Sequence, residues 1–237
     1  MRKKAIFITR KAYGFFYLLL VLLVGSATVS AEQSVQPGIN DHYRNNPDYG
    51  TWVQRFETKG REVFDRRHEI IRALDIGPGM RIADIGAGTG LFTRLFSRAV
   101  GATSKVYAVD ISDEFVRNIV RLAQERSLKN IVGVVSTDKD VKLEADSIDL
   151  AFVCDTYHHF EYPQTMLSSI RKALGKDGQL VVIDYRKQRG ISSGWVMGHV
   201  RPNQAVVKQE IGRAGFQHVK DFDFLMTNYF MVFKNTK

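Results

Sequence analysis

Cysteine is nearly absent from this chain of 237 residues, which carries one, Cys154. A single thiol excludes an intrachain disulfide and any cysteine-rich zinc site, and its place in an apolar run makes it a small buried hydrophobe. Proline is scarce as well, with five in all. There is no internal repeat or low-complexity segment, so neither a solenoid nor a Pro-rich linker is expected. The His, Asp and Glu residues show no metal-ligand spacing, and adjacency alone does not make His158 and His159 converge on one ion; no metal is expected. Acidic residues are missing from the first 31 positions, where Arg2, Lys3, Lys4, Arg10 and Lys11 precede an apolar run from Ala12 to Val24 and the small residues Val29-Ser30-Ala31. That arrangement reads as a secretory signal cleaved after Ala31, since the run is shorter than the roughly 20 apolar residues a membrane span needs. Export to a periplasm, with no stable membrane anchor after cleavage, is the expectation; an uncleaved anchor is the alternative.

The formal net charge is +9, from 34 basic and 25 acidic residues. Without the five basic residues of the signal, 29 face 25 and the charge falls to +4. No basic cluster interleaved with aromatics remains, and Arg66-Arg67 and Arg186-Lys187 read as solvated surface, so nucleic acid is not an expected partner. A hydrophobic content of 44% suits one well-packed domain.

Residues 32–60 are first polar, with a turn signal at Pro37-Gly38, and read as an arm or lid. Apolar residues from Trp52 to Leu74 recur at near-helical spacing and predict one or two helices. From Arg81 onward, strand-like and helix-like runs alternate: 81–85, 91–100, 105–110, 113–126, 131–136, 148–154, 163–174 and 179–184. That alternation specifies an α/β fold with a parallel sheet and helices on both faces. A helix over 204–214 then leads to two strand-like runs, 216–225 and 228–234, whose short connection forces antiparallel pairing.

The most informative stretch is Asp84-Ile85-Gly86-Ala87-Gly88-Thr89-Gly90, which ends a strand pattern and opens a helical one. Glycines allow a sharp turn and close approach of a ligand, and Asp110 at the tip of the next strand is placed to accept hydrogen bonds from two ribose hydroxyls. A dinucleotide loop spaces its glycines as G-x-G-x-x-G, whereas here they fall at every second position, which argues against a nicotinamide-dependent oxidoreductase. The stretch resembles motif I of the class I S-adenosylmethionine-dependent methyltransferases, D/E-x-G-x-G-x-G. The likeness runs from Arg61 to the C-terminus, and it implies a Rossmann-like seven-stranded sheet of order 3-2-1-4-5-7-6 with S-adenosylmethionine as cofactor. The subgroup it is most similar to consists of small-molecule enzymes of the ubiquinone-biosynthesis type, in an exported bacterial form.

Read residue by residue, the resemblance assigns Asp84, Gly86, Ala87, Gly88, Gly90, Asp110, Ile111, Thr137, Asp138 and Asp155 to the cofactor. Asp84 favours the cationic cofactor, free amides at the helix start would take its carboxylate, and Asp138 matches the acid that bonds the adenine amino group. Asp155-Thr156-Tyr157-His158-His159-Phe160 follows the fourth strand and resembles the family's D/N-x-x-x-H segment. His158 or His159 would serve as base toward a small-molecule acceptor; in the alternative, His159 bonds loop backbone and His158 faces solvent. Ser192 to His199, with Trp195, reads as a lid or aromatic wall. Tyr43, Trp52, Arg55 and Arg61 would close the other side, with a guanidinium free for a carboxylate. The function expected is methyl transfer to an O, N or C nucleophile of a small molecule, and the alternative is an exported nucleoside-ligand binding protein without turnover.

Overall fold

Short helices precede the sheet. The computed structural model describes residues 32–45, 47–190 and 192–237; the expected signal, residues 1–31, lies outside them. The first helices are α1 (Asp41–Arg44), α2 (Tyr49–Phe56), α3 (Glu62–Asp65) and α4 (Arg67–Ala73). Asp48 caps α2 by accepting from the Thr51 amide at 2.9 Å. The region expected to hold one or two helices holds three pieces, because Gly60 turns at φ +92 and Arg66 (φ −99°, ψ 13°) leaves helical geometry between α3 and α4.

The remaining elements follow in order: β1 (Ile82–Ile85), α5 (Leu91–Val100), β2 (Val106–Asp110), α6 (Asp113–Glu125), β3 (Ile131–Val135), β4 (Ile148–Cys154), α7 (Pro163–Ala173), β5 (Leu174–Tyr185), α8 (Gly194–His199), α9 (Gln204–Arg213), β6 (Phe216–Phe222) and β7 (Asn228–Asn235). Among the described residues one sheet of seven strands has the order β3-β2-β1-β4-β5-β7-β6, as expected. Strands β1 to β5 pair in parallel, and β7 is antiparallel to both β5 and β6.

Strand β1 is buried throughout and β4 nearly so, which is why both are mostly apolar, broken only by Asp84 and Asp149, rather than alternating. Successive residues still point to opposite faces. Phe152 and Val181 join Phe92, Phe96 and Phe230 on one side, while Val153 and Val182 join Tyr157, Leu167 and Met231 on the other. Strand β5 begins at Leu174, ahead of the expected Gln179, because Leu174 pairs with Ile148 before a register shift; Asp177 takes φ +64 within the irregular stretch. Among the described residues no helix is long and apolar enough to cross a membrane. The carboxyl ends of β1, β2, β4 and β5 open a crevice where the strand order reverses, the usual ligand position in such sheets.

Candidate active site

The loop after β1 is shaped by three glycines with positive φ, +72 at Gly86, +55 at Gly88 and +74 at Gly90. A Cβ at Gly86 would stand 2.2 Å from Thr156 Cγ2, and one at Gly90 would stand 2.8 Å from Ile119 Cγ1. The demand for glycine is thus set first by the protein's own packing, against the loop after β4 and against α6. Their amides differ from expectation. Gly86 and Ala87 both donate to Val109 O, Gly90 donates to Ala87 O, and Gly88 donates to Asp110, so these four are not free for a ligand carboxylate.

Asp110 stands at the end of β2, beside the glycine loop. Its Oδ2 accepts from Gly88 N at 2.8 Å and its Oδ1 from Ser112 N at 2.9 Å. Each oxygen keeps a further lone-pair direction for a hydroxyl, and the residue lines the cavity. Burial pushes its pKa up to about 6, against the opposing amides of Ser112, Gly88 and Ile111. Asp84 also lines the cavity and accepts from Thr93 Oγ1 at 2.6 Å, which ties β1 to α5. Burial raises it to about 7, with Thr93 opposing and Asp110 adding. Ile111, Thr137 and Asp138 lie on the same wall. Asp138 is held from the arm by Arg44 and by Asn40 Nδ2 at 3.3 Å, both on Oδ1, leaving Oδ2 for a ligand.

Residues 32–60 supply an aromatic wall. Tyr43 and Trp52 have ring centroids 5.0 Å apart, as do Trp52 and Phe56, and Trp52 meets Phe115 edge-on at 6.3 Å. Glu57 fastens this wall to the glycine loop: Arg94 Nη2 donates to both its oxygens at 2.7 Å and Thr89 Oγ1 donates at 2.8 Å. Arg61 and Asp155 had separate expected roles, one for a substrate carboxylate and one for the cofactor. The structure commits each to the other at 2.7 Å, and Asn228 Nδ2 fills the second oxygen of Asp155 at 2.6 Å. Sequence spacing gave no sign of this pair, whose members lie 94 residues apart, one before β1 and one just after β4.

A single 3₁₀ turn, Tyr157–His159, follows β4. His158 does not face solvent, being only 2% exposed. Its backbone amide donates to Asp184 Oδ2 at 3.0 Å and its Nδ1 lies 2.8 and 3.0 Å from the two carboxylate oxygens. That pairing places the proton on Nδ1 and the lone pair on Nε2. His159 Nδ1 is buried without a hydrogen-bond partner. Burial, then His158 and His199, push His159 down to about 2, so it stays neutral. His199 arrives from α8, its ring 5.3 Å from His158 and 5.2 Å from His159, and Trp195 stacks on it at 4.6 Å. One ligating atom from each of these three histidines can be chosen so that all lie within 4.8 Å of one another, a convergence that sequence reasoning missed.

Asp84, Gly86, Gly88, Asp110, Asp138 and the three histidines line one cavity of about 540 Å³, whereas Gly90 and Asp184 stand behind its wall; the volume is within the roughly 300–1,000 Å³ of small-molecule sites. Acids and loop glycines at the ends of β1, β2 and β3 form one half; His158 and His159 after β4, Tyr185 at the end of β5, and Trp195 and His199 on α8 form the other. The first half fits a nucleoside with a sulfonium: a carboxylate with open lone pairs for a diol, a second acid, and no basic cradle for phosphate.

Comparison with known proteins agrees. A methyltransferase domain family matches residues 83–182. A ubiquinone/menaquinone biosynthesis C-methyltransferase from Hydrogenovibrio crunogenus is 27% identical over 166 residues, which cover 69% of this chain and 64% of that relative's length. A solved SAM dependent methyltransferase from Aquifex aeolicus shares the fold with a TM-score of 0.71 at 20% identity, covering 80% of this chain and 99% of that one. The 4+2 cyclase SpnF also shares it, with a TM-score of 0.61 at 17% identity, over 82% of this chain and 66% of its own. The strand order, the glycine loop with Asp110 at its side and the methyltransferase domain matched over residues 83–182 make the chain similar to the class I S-adenosylmethionine-dependent methyltransferases, and it spans 64% of the length of the Hydrogenovibrio relative and 48% of the length of a Burkholderia vietnamiensis one.

Proposed function

We propose that the protein transfers a methyl group from S-adenosylmethionine to an O, N or C nucleophile of a small molecule. The observation that carries this reading is the single cavity lined by both the Asp110 half and the imidazole half. S-adenosylmethionine supplies an electrophilic methyl group on a cationic sulfur. Asp110 would hold the ribose hydroxyls, Thr137 and Asp138 the adenine, and Asp84 would favour the cationic portion. Its departing sulfur is a neutral thioether, so alignment counts for more than stabilising a leaving-group charge.

His158 is the group best placed to receive an acceptor's proton. Asp184 fixes its ring through Nδ1, in the way a carboxylate orients a catalytic imidazole, and leaves Nε2 as the base. His159, buried and neutral, shapes the cavity beside it. Trp52, Phe56, Phe115 and Trp195 line the same space, which favours an acceptor with apolar surface. Residues 32–60 act as the lid of a methyltransferase domain spanning 61–237.

Export belongs to the proposal too. It rests on the basic start, short apolar run and small-residue site of residues 1–31. N-terminal sequencing of native protein checks it: a chain starting at Glu32 is expected, and intact Met1 in the soluble cytoplasm refutes it. The activity is tested by incubating full-length protein with methyl-labelled S-adenosylmethionine and small metabolites of the producing cell. Label in one metabolite, with equal S-adenosylhomocysteine formed, is expected; tight cofactor binding with no transfer to any metabolite would make the chain a binding protein.

A further inference from the structure

We propose that His158, His159 and His199 form a site for a divalent transition-metal ion, zinc by its ligand set, with an open position that takes a hydroxyl oxygen of the methyl acceptor. The nitrogens these residues offer lie within 4.8 Å of one another. A tetrahedral zinc with Zn–N near 2.0–2.1 Å needs neighbouring nitrogens about 3.3 Å apart. The gathering required is therefore on the order of 1–1.5 Å. It falls to the side chain of His199, on the six-residue helix α8, because His158 and His159 share one turn with rings 4.3 Å apart.

Two independent observations point to a ligand here. His159 Nδ1 is buried with no hydrogen-bond partner, a state that costs free energy unless something else binds the nitrogen. His158 is backed by Asp184, which is itself 1% exposed and further fixed by the amides of His158 and Tyr185. A carboxylate behind the far nitrogen of an imidazole is the usual support of a metal-ligating histidine, since it sets the tautomer and raises ligand basicity. Trp195, stacked on His199, restrains the third ring. A donor set of three imidazoles suits zinc, copper, iron or nickel rather than magnesium or calcium. Three histidines with a vacant fourth position form a catalytic rather than a structural zinc arrangement.

The ion site stands on this geometry alone, whereas the place of the acceptor on it rests on the methyl-transfer reading. A hydroxyl coordinated to zinc loses its proton to water far more readily than a free one. The oxygen lone pair then forms the O–CH₃ bond while the S–CH₃ bond breaks with its electron pair left on sulfur. The Nε2 lone pair of His158 serves the ion in this state, and the metal takes over the acidifying role. Acceptors are thereby narrowed to alcohols and phenols.

Tag-free full-length protein, stripped with a chelator and titrated with Co²⁺ and then Zn²⁺, tests the site. One ion per chain is expected, with the visible absorption of a tetrahedral Co²⁺ nitrogen site that Zn²⁺ abolishes. His199→Ala, on the most exposed of the three ligands, should weaken Co²⁺ affinity well over tenfold with thermal unfolding and S-adenosylhomocysteine binding as in the parent. Asp184→Asn should weaken it by roughly 10–100-fold. Folded protein that binds S-adenosylhomocysteine but takes up no stoichiometric ion overturns the proposal, as does unchanged Co²⁺ affinity in His199→Ala. A retained Co²⁺ spectrum in protein that fails to bind S-adenosylhomocysteine sustains the ion site and refutes the cofactor reading instead.

Discussion

Asp110→Asn isolates the contribution of one carboxylate to cofactor binding. In the structure the two oxygens already accept from Gly88 N and Ser112 N at 2.8 and 2.9 Å, and each would take one ribose hydroxyl. Asparagine keeps the shape but has one acceptor oxygen and no charge, so both ribose bonds lose their charge assistance and one loses its acceptor. One bond of about 1.5–3 kcal/mol is lost and the other falls to a neutral bond about 1–1.5 kcal/mol weaker, so the loss is about 2.5–4.5 kcal/mol, or about two to three orders of magnitude in Kd. The pH dependence follows from the same group. Burial raises Asp110 from its ordinary 3.8 to about 6 in the free protein, and hydroxyl donors need the ionised form. Parent affinity should therefore be level above about pH 6 and fall about tenfold per unit below it, while the Asn variant loses this contribution. The stability of the free protein carries the opposite sign. The folded state holds this proton more tightly than the unfolded one, so the contribution of Asp110 is most favourable below about pH 4 and declines by at most about 3 kcal/mol as pH rises to 6. Calorimetry with S-adenosylhomocysteine from pH 5 to 8 reads the binding side directly. An Asn variant within threefold of the parent, or a flat parent profile between pH 5 and 7, refutes the reasoning.

Other substitutions probe the surroundings. Gly90→Ala puts a Cβ 2.8 Å from Ile119 at a φ of +74 and should cost about 1–3 kcal/mol in urea unfolding; a loss below about 0.5 kcal/mol would show that α5 and α6 have room to part. Arg94→Met removes the clamp on Glu57, whose side chain is 18% exposed. It should lower stability by about 1–3 kcal/mol and speed proteolysis between α2 and α3, so an unchanged cleavage rate would mean the clamp does not hold the arm. His158→Gln should slow single-turnover methyl transfer by roughly 10²–10⁴-fold with S-adenosylhomocysteine affinity preserved, and an unchanged rate would leave positioning as the whole of the mechanism.

What the sequence revealed was local or periodic. The parallel α/β class and the antiparallel last pair followed from the alternation of apolar runs with amphipathic ones and from the short turn before Asn228, whereas the strand order was what the family resemblance implied. The Asp84–Gly90 loop and Asp110 were legible because a strand, a tight turn and a helix start are written in consecutive residues. The turn holding His158 and His159 was legible for the same reason. Which of the two histidines pairs with a carboxylate was not, since that depends on Asp184 from another strand. Arg61 and Asp155 were assigned separate ligands because their pairing forms only when the region before β1 folds against the end of β4. Nor did glycine spacing show that the loop amides would be taken by Val109, Ala87 and Asp110. His199 is the furthest case: nothing in the chain between β5 and α8 marks it as a neighbour of His158, and only the fold brings their rings to 5.3 Å.

The central claim is that one cavity holds the cofactor with its reactive sulfur toward the imidazoles of the turn after β4 and of α8. A crystal structure of full-length protein with S-adenosylhomocysteine tests this most directly. The account predicts ribose hydroxyls on Asp110, adenine beside Thr137 and Asp138, and the thioether sulfur facing His158, His159 and Tyr185. A nucleoside bound away from Asp110, or a sulfur turned from the histidines, would contradict it.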